Sequence, residues 1–251
     1  MPEQLAMENG IIPDWPAPEN VAAFSTTRAG GVSEGPWASM NLGQHCGDDA
    51  QAVAENRALL EGMLAARPFW LRQVHGSHVV QHPGSLTEQL PAIEADAQVS
   101  SVAGAVCAIL TADCLPVLFC DRQGSQVAAA HAGWRGLAAG VLENTIAAMN
   151  SPAHELLAWL GPAIGPAAYE VGSDVKDAFS QDQAEGANAF VSHGERWLFN
   201  LYAMARHRLQ KAGVKHISGG KYCTLSDPTR FFSYRRDGVT GRMATLVWLK
   251  G

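Results

Sequence analysis

Residues 126–137, Gln-Val-Ala-Ala-Ala-His-Ala-Gly-Trp-Arg-Gly-Leu, pass from an unbroken apolar run through two glycines into a segment with helical spacing. A short apolar run closed by glycine reads as a strand buried on both faces, so 126–130 is assigned to a strand and 137–149 to a helix. The pattern repeats outward in both directions. Apolar runs at 69–74, 105–110, 117–120, 156–160, 216–219 and 244–249 read as strands. Helical spacing covers 49–65, with Asp48 or Asp49 available as a cap, then 173–178 and 198–212, the last stopped by Gly213. Strands interleaved with helices predict an α/β fold, a single domain with a mixed or mainly parallel sheet and helices on its faces. No repeat or linker divides residues 1–251.

Composition narrows the function. Hydrophobic residues make up 47% and charged residues 17% of the chain, the balance of an ordinary globular protein. Eighteen Lys and Arg against 24 Asp and Glu give a net charge of −6, which argues against nucleic acid or an anionic membrane as the main partner. Five cysteines, an odd number without disulfide-scaffold or C-x-x-C spacing, favour a reducing compartment. The opening MPEQLAMENG lacks the basic start and apolar middle of an export signal, so a cytoplasmic location is expected. The most apolar stretch, 102–120, is interrupted by Asp113 and Pro116, and no membrane span is expected.

Three side chains follow or end strand patterns: His75, Cys114 and His131. Ligand sites in α/β sheets form beyond the strand ends, where such residues converge. One thiolate and two imidazoles suit zinc or copper, and three protein ligands leave a fourth position open for chemistry. The separations, 39 and 17 residues, match no local ligand motif, so the convergence rests on the sheet. A bland reading stands beside it, in which His75 is a loop histidine and Cys114 a small buried hydrophobe. Cys107 and Cys120, inside apolar runs, fit the latter. Cys114 and His131 also permit nucleophilic catalysis by an activated thiolate. The glycines at 133 and 136 allow either an anion site at a helix start or simply a tight turn. Residues 31–35 match G-x-S-x-G, but Pro36, Trp37 and Gly43 make the surroundings an irregular loop, which disfavours Ser33 as a nucleophile.

At these residues the chain resembles the YfiH family, also called the laccase-domain or multicopper polyphenol oxidoreductase family, whose members are described as purine nucleoside phosphorylases. The resemblance spans about residues 24–248 and is carried by FSTTRAGGVSEGPWASMNLGQHCGDD, QVHGSHV, TADCLPVL, AHAGWRGL, GPAIGPAAYEVG, KYCT and FFSYRRDGVTGRMA. Cys46, where valine is more usual, and Ala168, where cysteine is frequent, depart from the pattern. The resemblance implies a fold similar to the deamidase domain of cytotoxic necrotizing toxins. It also implies metal ligation by His75, Cys114 and His131, and phosphorolysis of adenosine, inosine and methylthioadenosine with some adenosine deamination. The cofactor implied is zinc, with copper as the alternative.

For that chemistry Arg28 and Arg135 are candidates for phosphate, Asn41 and Gln73 for neutral hydrogen bonds to ribose or base, and Asp113 for orienting a ligand or moving a proton. Cys223 and Arg235 are read as structural. The expected partners are a small nucleoside and phosphate, with the protein a monomer or weak homodimer. The rival classes are a Cys–His amidohydrolase or peptidoglycan-editing factor and, disfavoured because laccase chemistry needs several coppers, a polyphenol oxidase.

Overall fold

The structure is a computed structural model of the chain, describing residues 10–64, 66–84, 86, 92–182 and 187–251. Two sheets are stacked at its centre. The first has the order β1 (Gly10–Ile11), β2 (Val21–Thr26), β14 (Met243–Leu249), β6 (Val106–Thr111), β3 (Pro68–Phe69), antiparallel except for the β3/β6 pair. The second runs β13 (His216–Gly219), β9 (Leu156–Leu160), β7 (Leu115–Asp121), β8 (Val127–Ala132), β5 (Ala97–Ser100), β4 (Val79–Gln81), parallel only at its two outer pairs. A small antiparallel sheet, β10 (Glu170–Val171), β12 (Arg196–Phe199), β11 (Phe190–His193), lies apart in sequence order.

Side-chain alternation fixes the layers. Along β6, Cys107 and Ile109 join a core with Leu118 and Cys120 of β7 and Val127 and Ala129 of β8, which is the seam between the sheets. The intervening Val106 and Ala108 face Met40, Leu42 and Leu60, the last from helix α1 (Ala50–Glu61). On the far side, Val117, Phe119, Ala128 and Ala130 pack against helix α3 (Val141–Ala148) and helix α5 (Leu201–Lys211). The result is helix, sheet, sheet, helix in four layers. The expected mixed sheet with helices on its faces is present, and the mainly parallel reading is corrected. Continuous apolar strands arise here because two sheets bury each other's inner faces, not because parallel crossovers cover both faces.

Other differences have local causes. The helix expected at 137–149 is two: α2 (Trp134–Ala138) and α3, broken where Gly140 has φ 87°. The strand expected at 69–74 ends after Phe69, because the chain then turns into a loop that carries His75. The helix expected at 173–178 is α4 (Ser173–Asp177); residues 198 and 199 complete β12, and α5 starts after its cap Asn200, whose side chain accepts from the Ala203 amide. Asp49 caps α1 by accepting from the Ala52 amide; Ala65, the expected end of that helix, lies outside the described residues. Strands β2 and β5, missing from the sequence reading, are too short or too rich in small residues to show a period. Among the described residues no helix is long and apolar enough to cross a membrane.

Gly140 adopts a left-handed conformation with no crowding around a would-be Cβ, whose nearest neighbour is 3.7 Å away. Gly140→Ala is therefore expected to destabilise the fold by about 1 kcal/mol through backbone strain alone, read as a lower denaturation midpoint at unchanged slope.

Candidate metal centre and its cavity

Between β6 and β7 the residues Ala112, Asp113 and Cys114 carry the chain from one sheet to the other. That crossover puts Cys114 at the rim of the seam. On β8, His131 pairs across from Pro116, two residues beyond Cys114. His75 arrives from the loop after β3 in a left-handed conformation, φ 60°. The ligand atoms of His75, Cys114 and His131 lie within 4.8 Å of one another, the only such group among the described residues. Cys114 Sγ is 3.8 Å from His75 Nε2, and the two imidazole rings meet edge to face at 4.8 Å.

One carboxylate organises all this. Asp96, wholly buried, accepts His131 Nδ1–H at 2.8 Å on Oδ1. It also accepts the amides of His75 at 2.9 Å, Gly76 at 2.7 Å and Val74 at 3.2 Å. The Asp96 bond therefore fixes the His131 tautomer and leaves Nε2 for a ligand, the arrangement expected behind a metal-ligating histidine. Burial alone would raise the Asp96 carboxyl, but the His131 hydrogen bond and charge and the Gly76 and Val74 amides outweigh it and lower it. Burial opposes ionisation at Cys114 as well; the His131 charge, with hydrogen bonds from both histidines, brings that thiol down to about 6. His131 shifts up in turn, its burial outweighed by the Cys114 thiolate and by Asp96.

The glycines of the 126–137 stretch serve close packing. A Cβ on Gly133 would come within 2.9 Å of Cys114 Sγ and 3.1 Å of the His75 ring, and one on Gly136 within 2.7 Å of the Gly76 carbonyl. Of the two readings of this loop, tight packing is the one these contacts account for. The donor set fits a zinc-like cation. Tetrahedral ligation at usual zinc distances separates donor atoms by about 3.5 Å, close to the 3.8 Å between Cys114 Sγ and His75 Nε2 in a group that spans at most 4.8 Å. A soft thiolate with two imidazoles suits zinc or copper ahead of harder ions.

The three residues open onto a cavity of about 760 Å³, also lined by Gln73, Trp70, Tyr234, Cys46 and four arginines: Arg57, Arg67, Arg72 and Arg242. A chain of net charge −6 thus gathers cations at one cleft. Arg67 and Arg72 are paired with Glu61 and Glu94. Arg57 donates Nε and Nη2 to the Leu42 carbonyl and stacks on Trp70, its guanidinium 4.4 Å from the ring centre; burial lowers it to about 10. Arg242 donates Nη1 to the Thr240 and Gly241 carbonyls.

The other expected site residues are placed differently. Arg28 is spent on the Ala38 and Pro228 carbonyls and on the Phe232 ring, and does not line the cavity. Arg135 also lies outside the lining, its guanidinium over Trp134. Neither of the two expected phosphate cations lines this cavity, whereas Arg57 and Arg242 do. Asn41 is buried, its amide committed to Gly43, Asp48 and Arg242. Gln73 reaches the cavity, but its amide pairs at both ends with the Leu110 backbone. Asp113 is held on both oxygens, Thr224 Oγ1 donating to Oδ1 and the Arg235 amide to Oδ2, each at 2.6 Å. Cys223 Sγ accepts from the Gly165 amide and Ser226, and Arg235 Nη1 donates to the Glu170 carbonyl. Asp96 escapes sequence reading because one acid before a four-residue strand has no distinguishing pattern.

Comparison with known proteins now decides the kinship. The model of the multi-copper polyphenol oxidoreductase laccase family matches residues 22–250. The chain belongs to this family. It is 52% identical over 245 residues to purine nucleoside phosphorylase YfiH of Escherichia coli K12, covering 97% of this chain and all of that one. The crystal structure of Neisseria meningitidis protein NMB0706 superposes with TM-score 0.93 at 51% identity, covering 97% of this chain and 100% of that one. YlmD from Geobacillus stearothermophilus superposes with TM-score 0.84 at 30% identity, covering 93% of each chain. The laccase-like family and the His–Cys–His group together support metal binding.

Asp96→Asn removes the charge behind His131. Zinc affinity is expected to fall by about 10- to 100-fold, measured by competition with a chromogenic chelator. In metal-free protein, iodoacetamide labelling of Cys114 should follow a midpoint near pH 6 by peptide mass spectrometry, about where its thiol is placed. In Asp96→Asn the imidazolium is weaker, so the thiolate is less stabilised and the midpoint should move up.

Proposed function

We propose that this chain is a metal-dependent purine nucleoside phosphorylase acting on adenosine, inosine and methylthioadenosine, with zinc as the resident metal and adenosine deamination as a side activity. The observation that carries the reading is the Asp96-braced His75, Cys114 and His131 group opening onto an arginine-lined cavity. The names of the relatives agree with it. In phosphorolysis a phosphate oxygen forms a bond to ribose C1′ as the bond from C1′ to the purine nitrogen breaks, and the departing base takes up a proton. The products are the free purine and ribose 1-phosphate, or 5-methylthioribose 1-phosphate from methylthioadenosine. Bound zinc would be held by His75, Cys114 and His131 and would supply Lewis-acid chemistry.

The protein's own groups cover the remaining needs. Arg57 and Arg242 are the cations we assign to phosphate, since they line the cavity and, among the described residues, are not paired with a carboxylate in a salt bridge. Asp96 keeps His131 oriented through Nδ1, with Nε2 turned to the metal position. Asp113, with both oxygens engaged, braces the segment next to Cys114 and takes no part in proton transfer. Deamination would replace the C6 amino group by a water oxygen, releasing ammonia, in the same cavity.

A second reading has its own observation. Cys114, His131 and Asp96 form a thiol, imidazole and carboxylate series of the kind used by cysteine amidohydrolases, and the thiol is already acidic. The two readings respond oppositely to metal, which would occupy the thiolate that a hydrolase needs free.

Chromatography of adenosine incubated with zinc-loaded protein separates them. Adenine and ribose 1-phosphate are expected only with phosphate present and only with Cys114 intact, Cys114→Ala being the control for contaminating phosphorylase. Accompanying inosine would report deamination. No product above the Cys114→Ala background would overturn the purine reading and direct the search to amide substrates of metal-free protein.

A further inference from the structure

Among the described residues of the cavity lining, Tyr234 is the large aromatic side chain left mostly uncovered, 60% exposed. Phe69 lies in the core between the sheets, and Trp70 is covered on one face by Arg57. The Tyr234 backbone, by contrast, is held firmly. It opens the short helix α6 (Tyr234–Asp237), capped by Ser233 Oγ accepting from the Arg236 amide. The next amide, that of Arg235, donates to Asp113 Oδ2 at 2.6 Å. Arg236 fastens the same turn to the Thr224, Leu225 and Phe231 carbonyls.

Asp113 immediately precedes Cys114. One hydrogen bond, with one residue on either side of it, therefore separates the Tyr234 ring from the thiol. Here is a flat, apolar group presented to water at the wall of a concave site, on backbone that has no freedom to fold it away. The Arg242 guanidinium, 6.0 Å from the ring centre, is its charged neighbour on the same cavity. A rigid exposed ring is what the face of a planar heteroaromatic ligand requires, and the cation beside it is the Arg242 assigned above to phosphate, which sets the anion next to a stacked base. We infer that Tyr234 is the platform on which the purine base stacks, an inference that rests on the nucleoside reading above. It explains why a residue of no evident chemistry stands next to the candidate centre: it sets where the base lies relative to Cys114.

The test uses full-length zinc-loaded protein with Tyr234→Ala and Tyr234→Phe, each checked for native circular dichroism. Adenine binding by calorimetry and KM for adenosine and phosphate are read separately. Loss of the ring in Tyr234→Ala should weaken adenine binding and raise KM for adenosine by about tenfold, with KM for phosphate unchanged. Tyr234→Phe, which keeps the ring, should restore both values toward wild type. Unchanged adenine binding in Tyr234→Ala overturns the inference, as does an equal rise in both KM values, which would mark a general role in cavity shape. Absence of phosphate-dependent base release by wild-type protein would overturn the phosphorylase reading instead, while adenine binding would still test the platform.

Discussion

A single buried carboxylate holds the candidate centre in register. Asp96 takes hydrogen bonds from three consecutive backbone amides of the 74–76 loop and from the His131 ring, joining pieces of chain that arrive from different strands. Burying an ionised carboxylate is costly unless its acceptor positions are filled, and here four N–H donors fill them. The left-handed backbone of His75, otherwise unfavourable for a residue with a side chain, is compensated by its amide bond to the same group.

The stacked sheets supply the second constraint. Because β6 belongs to one sheet and β7 to the other, the chain between them must cross the seam, and Cys114 stands at that crossing. The crossing loop is kept in place by Thr224 and the Arg235 amide on Asp113, and the Ile164 amide donates to the Asp113 carbonyl. The chemistry-bearing side chains thus project from the joint between layers, where backbone must leave regular pairing.

How much of this could be read from the chain differs by residue. The buried strands and the positions of Cys114 and His131 beside strand ends are legible, because apolar runs and their polar interruptions are local signals, whereas His75 stands on a loop well past the end of β3. Sheet direction is not legible: a strand covered by a second sheet carries the same continuous apolar pattern as one covered by helices. Arg28 and Arg135 stood out by motif and proximity, yet guanidinium groups are long enough to reach carbonyls or rings elsewhere, and both do. Arg57 and Arg242 lie far apart in sequence and reach the cavity only through the fold. Asp96 carries no local signal of its role, because its four donors come from the 74–76 loop and from β8 and meet it only in the fold.

Strand β5 is four residues long and wholly buried, and it begins directly after Asp96. Two residues further on, Gln98 donates its side-chain amide to the carbonyls of Phe69 and Ala108, so the strand that follows the candidate centre's key carboxylate also ties one sheet to the other. Active sites are commonly maintained at the expense of stability, leaving selection to trade one against the other. Along β5 the two interests coincide. A substitution that loosened this strand would weaken the sandwich and misalign His131 together, so purifying selection for folding would guard the centre as well, without any separate pressure on its chemistry.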